Sequence, residues 1–127
     1  MVFSGNTNIN SYWLRSRDIT HADTGTTVGA ISVPALTWVD RVVSVVTVAF
    51  QTGGYVDVGD GTDPDGWITS TGMLVSDGTL ALRADTSGAY RSGKGYITAD
   101  TIDVQLVDST SGHMYIMAHM LPLAEMY

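Results

Sequence analysis

Asp57, Asp60, Asp63 and Asp65 crowd a short glycine-rich stretch, and carboxylate oxygens gathered this way are the donor type of a hard divalent cation such as calcium. The spacing is not that of an EF-hand. Where Asp63-Pro64-Asp65-Gly66 is set on the middle of that pattern, Gly61 takes the place of its first ligand and Gly72 that of its closing acid. Asp, Pro and Gly are also ordinary turn formers, because they accept the backbone angles that a reversal needs. The first expectation is therefore a structural turn and no cofactor, with calcium at the four aspartates as the alternative.

Other reactive side chains are scattered. His113 and His119 fall on the same side of an extended segment but stand ~20 Å apart by strand rise, too far to share one ion within a chain. His21 has no partner nearby in sequence. No Gly-x-Ser-x-Gly elbow, cysteine nucleophile or Gly-Lys-Ser/Thr phosphate loop is present, and Ser92-Gly93-Lys94-Gly95 reads as hairpin chemistry. Nothing selects two of the aspartates as a glycosidase pair. No enzyme is expected.

The elements that must position these residues are legible from composition. The chain has 127 residues, 44% of them hydrophobic, which suits one domain with one core. It lacks cysteine, so neither disulfides nor a thiolate zinc site hold it. A formal charge of -7, with Lys94 as the lone lysine, argues against nucleic acid as a partner. No apolar run is long enough for a membrane helix and no secretory leader opens the chain, so synthesis in the cytoplasm and no membrane partner are expected. Nearly all the acid is aspartate, Glu125 being the exception, and Asp favours turns where Glu favours helix interiors.

Strands are expected at residues 12–19, 28–33, 39–50, 55–58, 73–75, 79–84, 95–99, 102–107 and 113–120, with Gly/Asp-rich breaks between them. In the first of these, Tyr12, Leu14 and Ser16 share one face and Trp13, Arg15 and Arg17 the other. Ile102, Val104 and Leu106 alternate with Asp103 and Gln105, which fixes the inward face of that segment. The whole is an all-β chain, a β-sandwich of jelly-roll type in a single domain spanning 1–127.

Residues 1–11 and 121–127 read as extended N- and C-terminal arms. Pro122 is expected to end sheet pairing. The central segment 39–50 is apolar on both faces, so it lies either between two layers or against a neighbouring subunit. Interface residues are accordingly expected at Tyr12, Trp13, Val43, Val45, Leu121, Leu123, Met126 and Tyr127, and the chain at a self-association contact.

Val56-Asp57-Val58-Gly59-Asp60-Gly61-Thr62-Asp63-Pro64-Asp65-Gly66-Trp67, with the later Gly93-Lys94-Gly95-Tyr96-Ile97-Thr98-Ala99-Asp100-Thr101-Ile102-Asp103-Val104, resembles small virion structural proteins of tailed bacteriophages. The upstream Gly29-Ala30-Ile31-Ser32-Val33-Pro34 is similar too, and the resemblance spans about residues 28–117. It implies a β-sandwich, often a trimer, attached to a capsid or tail through the major capsid protein or other virion proteins, with no catalytic residue. Capsid decoration is the leading expectation. A tail or head-fibre adaptor is the alternative within the virion, and a carbohydrate-binding module using exposed Trp67 or Tyr90 is the alternative outside it.

Overall fold

β-Branched and aromatic residues recur at alternate positions along the chain, and such side chains keep most freedom when the backbone is extended. The computed structural model describes residues 10–50, 54–72, 81–83 and 88–123, and among these there is no α-helix. The strands are β1 (Tyr12–Arg15), β2 (Ile19–Thr20), β3 (Thr27–Val33), β4 (Thr37–Val48), β5 (Tyr55–Gly59), β6 (Ile68–Gly72), β7 (Ala81–Arg83), β8 (Lys94–Tyr96), β9 (Asp100–Val107) and β10 (His113–Pro122). A single 3-10 turn at His21–Asp23 follows β2.

They form two antiparallel sheets. One is six-stranded in the order β1-β10-β4-β7, with β2 also on β10 and β8 also on β4; the other is four-stranded in the order β3-β9-β5-β6. The chain crosses repeatedly between them, so the all-β, jelly-roll-like sandwich expected from the sequence is what forms. Between the sheets, Met114, Ile116, Ala118 and Met120 of β10 meet Val56 and Val58 of β5 and Ile102, Val104 and Leu106 of β9 in one core. Each such large side chain taken from water contributes ~1.5 to 3 kcal/mol.

Three departures from the sequence reading have physical causes. The segment 12–19 is not one strand: the Ser16 N–H donates to the Ile116 carbonyl at 2.9 Å while its hydroxyl accepts from the Ile116 N–H at 3.0 Å. A side chain thus replaces a backbone acceptor, and the chain leaves the ladder before rejoining it as β2.

β6 occupies a stretch where no strand is expected from the sequence. Its Ile-Thr-Ser-Thr-Gly sequence shows no apolar alternation, because it is an edge strand paired only with β5 among the described residues. The strand expected at 73–75 lies outside the described residues, as does most of the N-terminal arm.

β10 runs on through Leu121 and Pro122, opposite Trp38 and Thr37 of β4, so sheet pairing does not stop at residue 120 as expected. β1 begins opposite Met120, which leaves Pro122 at a strand end flanked on one side, where a missing N–H is tolerated.

Both faces of β4 are indeed covered, but by this chain. Val42 and Val46 point into the core, while Val43 and Val45 on the other face are only 3% and 2% exposed.

Candidate functional site

The aspartate loop between β5 and β6 folds back on its own start. The Asp60 N–H donates to the Asp63 carbonyl at 3.0 Å, the Gly66 N–H to the same oxygen at 3.1 Å, and the Trp67 N–H to the Val58 carbonyl at 2.8 Å. At Gly59 a Cβ would sit 2.1 Å from the Asp63 carbonyl oxygen, so only glycine admits this closure.

The closure turns Asp60 inward, with its side chain 0% exposed. Oδ1 accepts from the amides of Thr62 (3.0 Å) and Asp63 (2.9 Å) and from the Tyr90 hydroxyl (3.2 Å). Oδ2 accepts from Lys94 Nζ at 2.5 Å and from the Tyr96 hydroxyl at 2.8 Å. Trp67 Nε1 in turn donates to the Tyr96 oxygen at 3.1 Å, and Lys94 lies over the rings of Tyr90 and Tyr96 at 4.3 and 4.7 Å.

The electrostatics follow from this geometry. Burial works against the Asp60 carboxylate, but hydrogen bonds from Lys94, the Asp63 amide, Tyr96 and the Thr62 amide outweigh it, and its pKa lies below the ordinary value. Burial also works against the Lys94 ammonium, yet Asp60 and Tyr90 hold its pKa above the usual lysine value. Burial, and then the Asp60 charge it hydrogen-bonds, push the Tyr96 phenol up. Both Asp60 oxygens are thus taken by the protein, and the group behaves as a clamp.

The four calcium candidates are not brought together around one point. Asp60 faces inward, whereas Asp63 and Asp65 share a hydrogen bond that raises the Asp65 pKa, helped by burial and by the charges of Asp63 and Asp57. Among the described residues no three His, Cys, Asp or Glu side chains are placed to hold a metal.

Beside the clamp two hollows open. A groove of about 540 Å3 runs past Gly61, Thr62, Lys94 and Tyr96 to Ile97 and Asp100. A smaller pocket of about 220 Å3 lies among Thr27, Asp60, Gly61, Pro64, Asp103 and Gln105. Burial raises the Asp103 pKa against a hydrogen bond from Thr101, with the charges of Asp100 and Asp60 adding to the rise.

The outer face of the six-stranded sheet carries aromatics. Trp13, 49% exposed, stacks on His119 at 4.9 Å between ring centres, and the Arg15 guanidinium lies 3.7 Å over the Tyr115 ring. His119 Nδ1 meets Asp40 at 3.2 Å. Of the expected interface residues, Tyr12 and Trp13 are therefore exposed on this edge and Leu121 and Leu123 are half-buried. Val43 and Val45 have little surface left for a partner, and Met126 and Tyr127 lie outside the described residues.

Sequence reasoning missed the partners of Asp60. The sequence suggests hairpin chemistry at Lys94 and an exposed ring at Trp67, yet Trp67 is buried, with the Tyr90 ring edge-on at 5.3 Å. A lone lysine between glycines and beside Tyr96 was the available signal.

These sheets and their crossings define a jelly-roll-type β-sandwich, and solved structures share it. No family model matches the chain, and no curated protein sequence does either. A chain in the acid-stable capsid structure of Helicobacter pylori bacteriophage KHP30 superposes with a TM-score of 0.64 at 12% identity, over 89% of this chain and 88% of that one. A chain in the capsid asymmetric unit of cyanophage Pam1 gives 0.66 at 11% identity, over 95% and 91%. One in the capsid of Ralstonia phage GP4 gives 0.52 at 10%, over 95% and 88%. The likeness is one of fold.

Proposed function

We propose that this chain is a structural protein of a bacteriophage virion, a decoration or cement protein that binds the capsid surface as a homo-oligomer and carries no catalysis. The observation that supports this most is the near-complete overlap of the whole sandwich with chains from phage capsid structures, which extends over 95% of this chain for the cyanophage Pam1 capsid. The site agrees in kind. Its buried charges, Asp60 and Lys94, are spent on one another, which rigidifies a scaffold.

Attachment uses the outer face of the six-stranded sheet. Trp, Tyr and Arg dominate binding energy at protein interfaces, and Trp13, Tyr115 and Arg15 stand together there with their stacking partners already in place. The partner is the major capsid protein or another virion protein.

Immunogold imaging of particles tests the reading: label over the head surface is expected. Label at the neck or tail would replace decoration by the adaptor role, and no label would remove the virion function. Of the two rings named for the carbohydrate-binding alternative, Trp67 is buried with its indole N–H bound to Tyr96, while Tyr90 is half-buried with its hydroxyl on Asp60.

A further inference from the structure

Charge is divided between the two sheets. Strands β3, β5, β6 and β9 carry Asp57, Asp100 and Asp103 and no Lys, Arg or His. The strands of the six-stranded sheet carry Asp40 as their sole acid, against Arg15, Arg41, Arg83, Lys94, His113 and His119. An acidic surface is thus repelled at one side of the sandwich and admitted at the other.

Most of the cations are already engaged. Arg15 pairs with Asp18, Arg17 with Asp23 and Lys94 with Asp60, and Arg91 donates to the Gly88 carbonyl at 3.3 Å. Arg41 is exposed and, among the described residues, makes neither a hydrogen bond nor an ion pair. A bulge in β4 displays it. Val39 lies opposite Met120 and Arg41 opposite His119, so Asp40 is the extra residue, and Asp40 and Arg41 both reach the surface. Asp40, the carboxylate next to Arg41 in the chain, is turned instead to His119 Nδ1 at 3.2 Å. His119 in turn lies opposite Trp13 and carries its ring. Trp13, His119 and Arg41 therefore form one row across β1, β10 and β4.

We propose that this row receives a carboxylate from an acidic surface of the virion protein to which the chain attaches, with Arg41 closing the ion pair and the half-exposed Trp13 shielding it from water. A guanidinium matches a carboxylate with two parallel hydrogen bonds, and Arg and Trp are residue types that dominate interface energy. The partner is acidic because Asp40 and His119 answer each other, which leaves the free charge of the row positive. A basic partner would be drawn to the four-stranded sheet, and one free arginine on a chain of charge -7 does not follow a line of phosphates as nucleic acid requires. The inference rests on attachment through the six-stranded sheet and names the chemistry of what that sheet meets.

Co-sedimentation of the full chain with phage particles assembled without it tests this, using Arg41→Glu, Arg41→Lys and the double variant Thr27→Glu/Ser32→Glu, each melted by circular dichroism. The double variant makes the same change in net charge as Arg41→Glu, but at exposed positions of β3 in the four-stranded sheet. Arg41→Glu is expected to bind at least tenfold more weakly, Arg41→Lys to keep part of the affinity, and the double variant to bind as the wild type does. Added salt should weaken the wild type more than Arg41→Glu. A wild type that binds no better than Arg41→Glu overturns the acidic partner and leaves attachment standing. Equal weakening in the double variant assigns the effect to overall charge and overturns the proposal, as does binding that is lost when the particles are treated with nuclease. A wild type that does not bind overturns both the proposal and the attachment it rests on.

Discussion

Lys94 meets Asp60 across the sandwich: its ammonium lies 2.5 Å from the carboxylate, tying β8 of the six-stranded sheet to the loop that leaves β5 of the four-stranded one. Trp67 and Tyr96 bridge the same gap with a second hydrogen bond. Two sheets held mainly by nondirectional packing gain a fixed relative position at this end, and the groove wall at Tyr96 is set by it.

A buried carboxylate deprived of its counter-ion is costly, so Lys94→Met should destabilise the fold by about 3 to 5 kcal/mol in urea unfolding. Adding Asp60→Asn should recover part of that loss, since an amide oxygen still accepts from the Thr62 and Asp63 N–H groups without burying a charge. Equal losses in the single and double variants would show that the charge pair is not what the clamp provides.

Stability should depend on pH in two opposed ways. Asp60 has a lowered folded pKa, so its contribution is complete above the unfolded value of ~3.9 and disappears as pH falls through the folded value. Asp103 and Asp65 have raised folded values, so their ionised forms detract at neutral pH, and that penalty fades as pH falls towards the unfolded value. Melting temperature should therefore rise as pH falls from neutral towards the ordinary aspartate value and fall steeply below that value of ~3.9. Asp103→Asn should flatten the rise and leave the fall.

The strands were readable where burial is one-sided. Ile102, Val104 and Leu106 alternate with polar residues because β9 is the centre of a sheet with one face in the core, and the structure buries all three. β6 was hidden because an edge strand needs no such alternation. The clamp was hidden for a different reason: Asp60 and Lys94 are brought together by a tight loop and a sheet crossing. Neither leaves a spacing in the chain, whereas the clustered aspartates do, and they suggested an ion.

Since protein donors occupy both Asp60 oxygens, excess chelator should leave the melting temperature unchanged. A drop restored by calcium would mean that the loop takes up an ion. By mass action, saturation at a hundredfold the dissociation constant would add ~2.7 kcal/mol, a readily visible shift.

Leu36→Gly should stabilise the isolated sandwich by about 1 kcal/mol, because a leucine at positive φ pays a steric penalty that glycine avoids. Thermal melts of dilute protein read this directly, and a lower melting temperature would show that Leu36 packs within its own chain.

Trp13→Ala should leave the far-ultraviolet spectrum and the melt close to wild type while weakening attachment to particles by at least tenfold. Trp13 lies on the edge strand β1 with half its surface in solvent, so its removal opens no core cavity. Loss of folding with loss of binding would place Trp13 among the structural residues.

The proposed virion role stands or falls on one measurement, the amount of this chain in gradient-purified phage particles. Quantitative mass spectrometry against the major capsid protein should find a fixed copy number that survives repeated banding and high-salt washing. Its absence from particles that are otherwise complete would contradict the role.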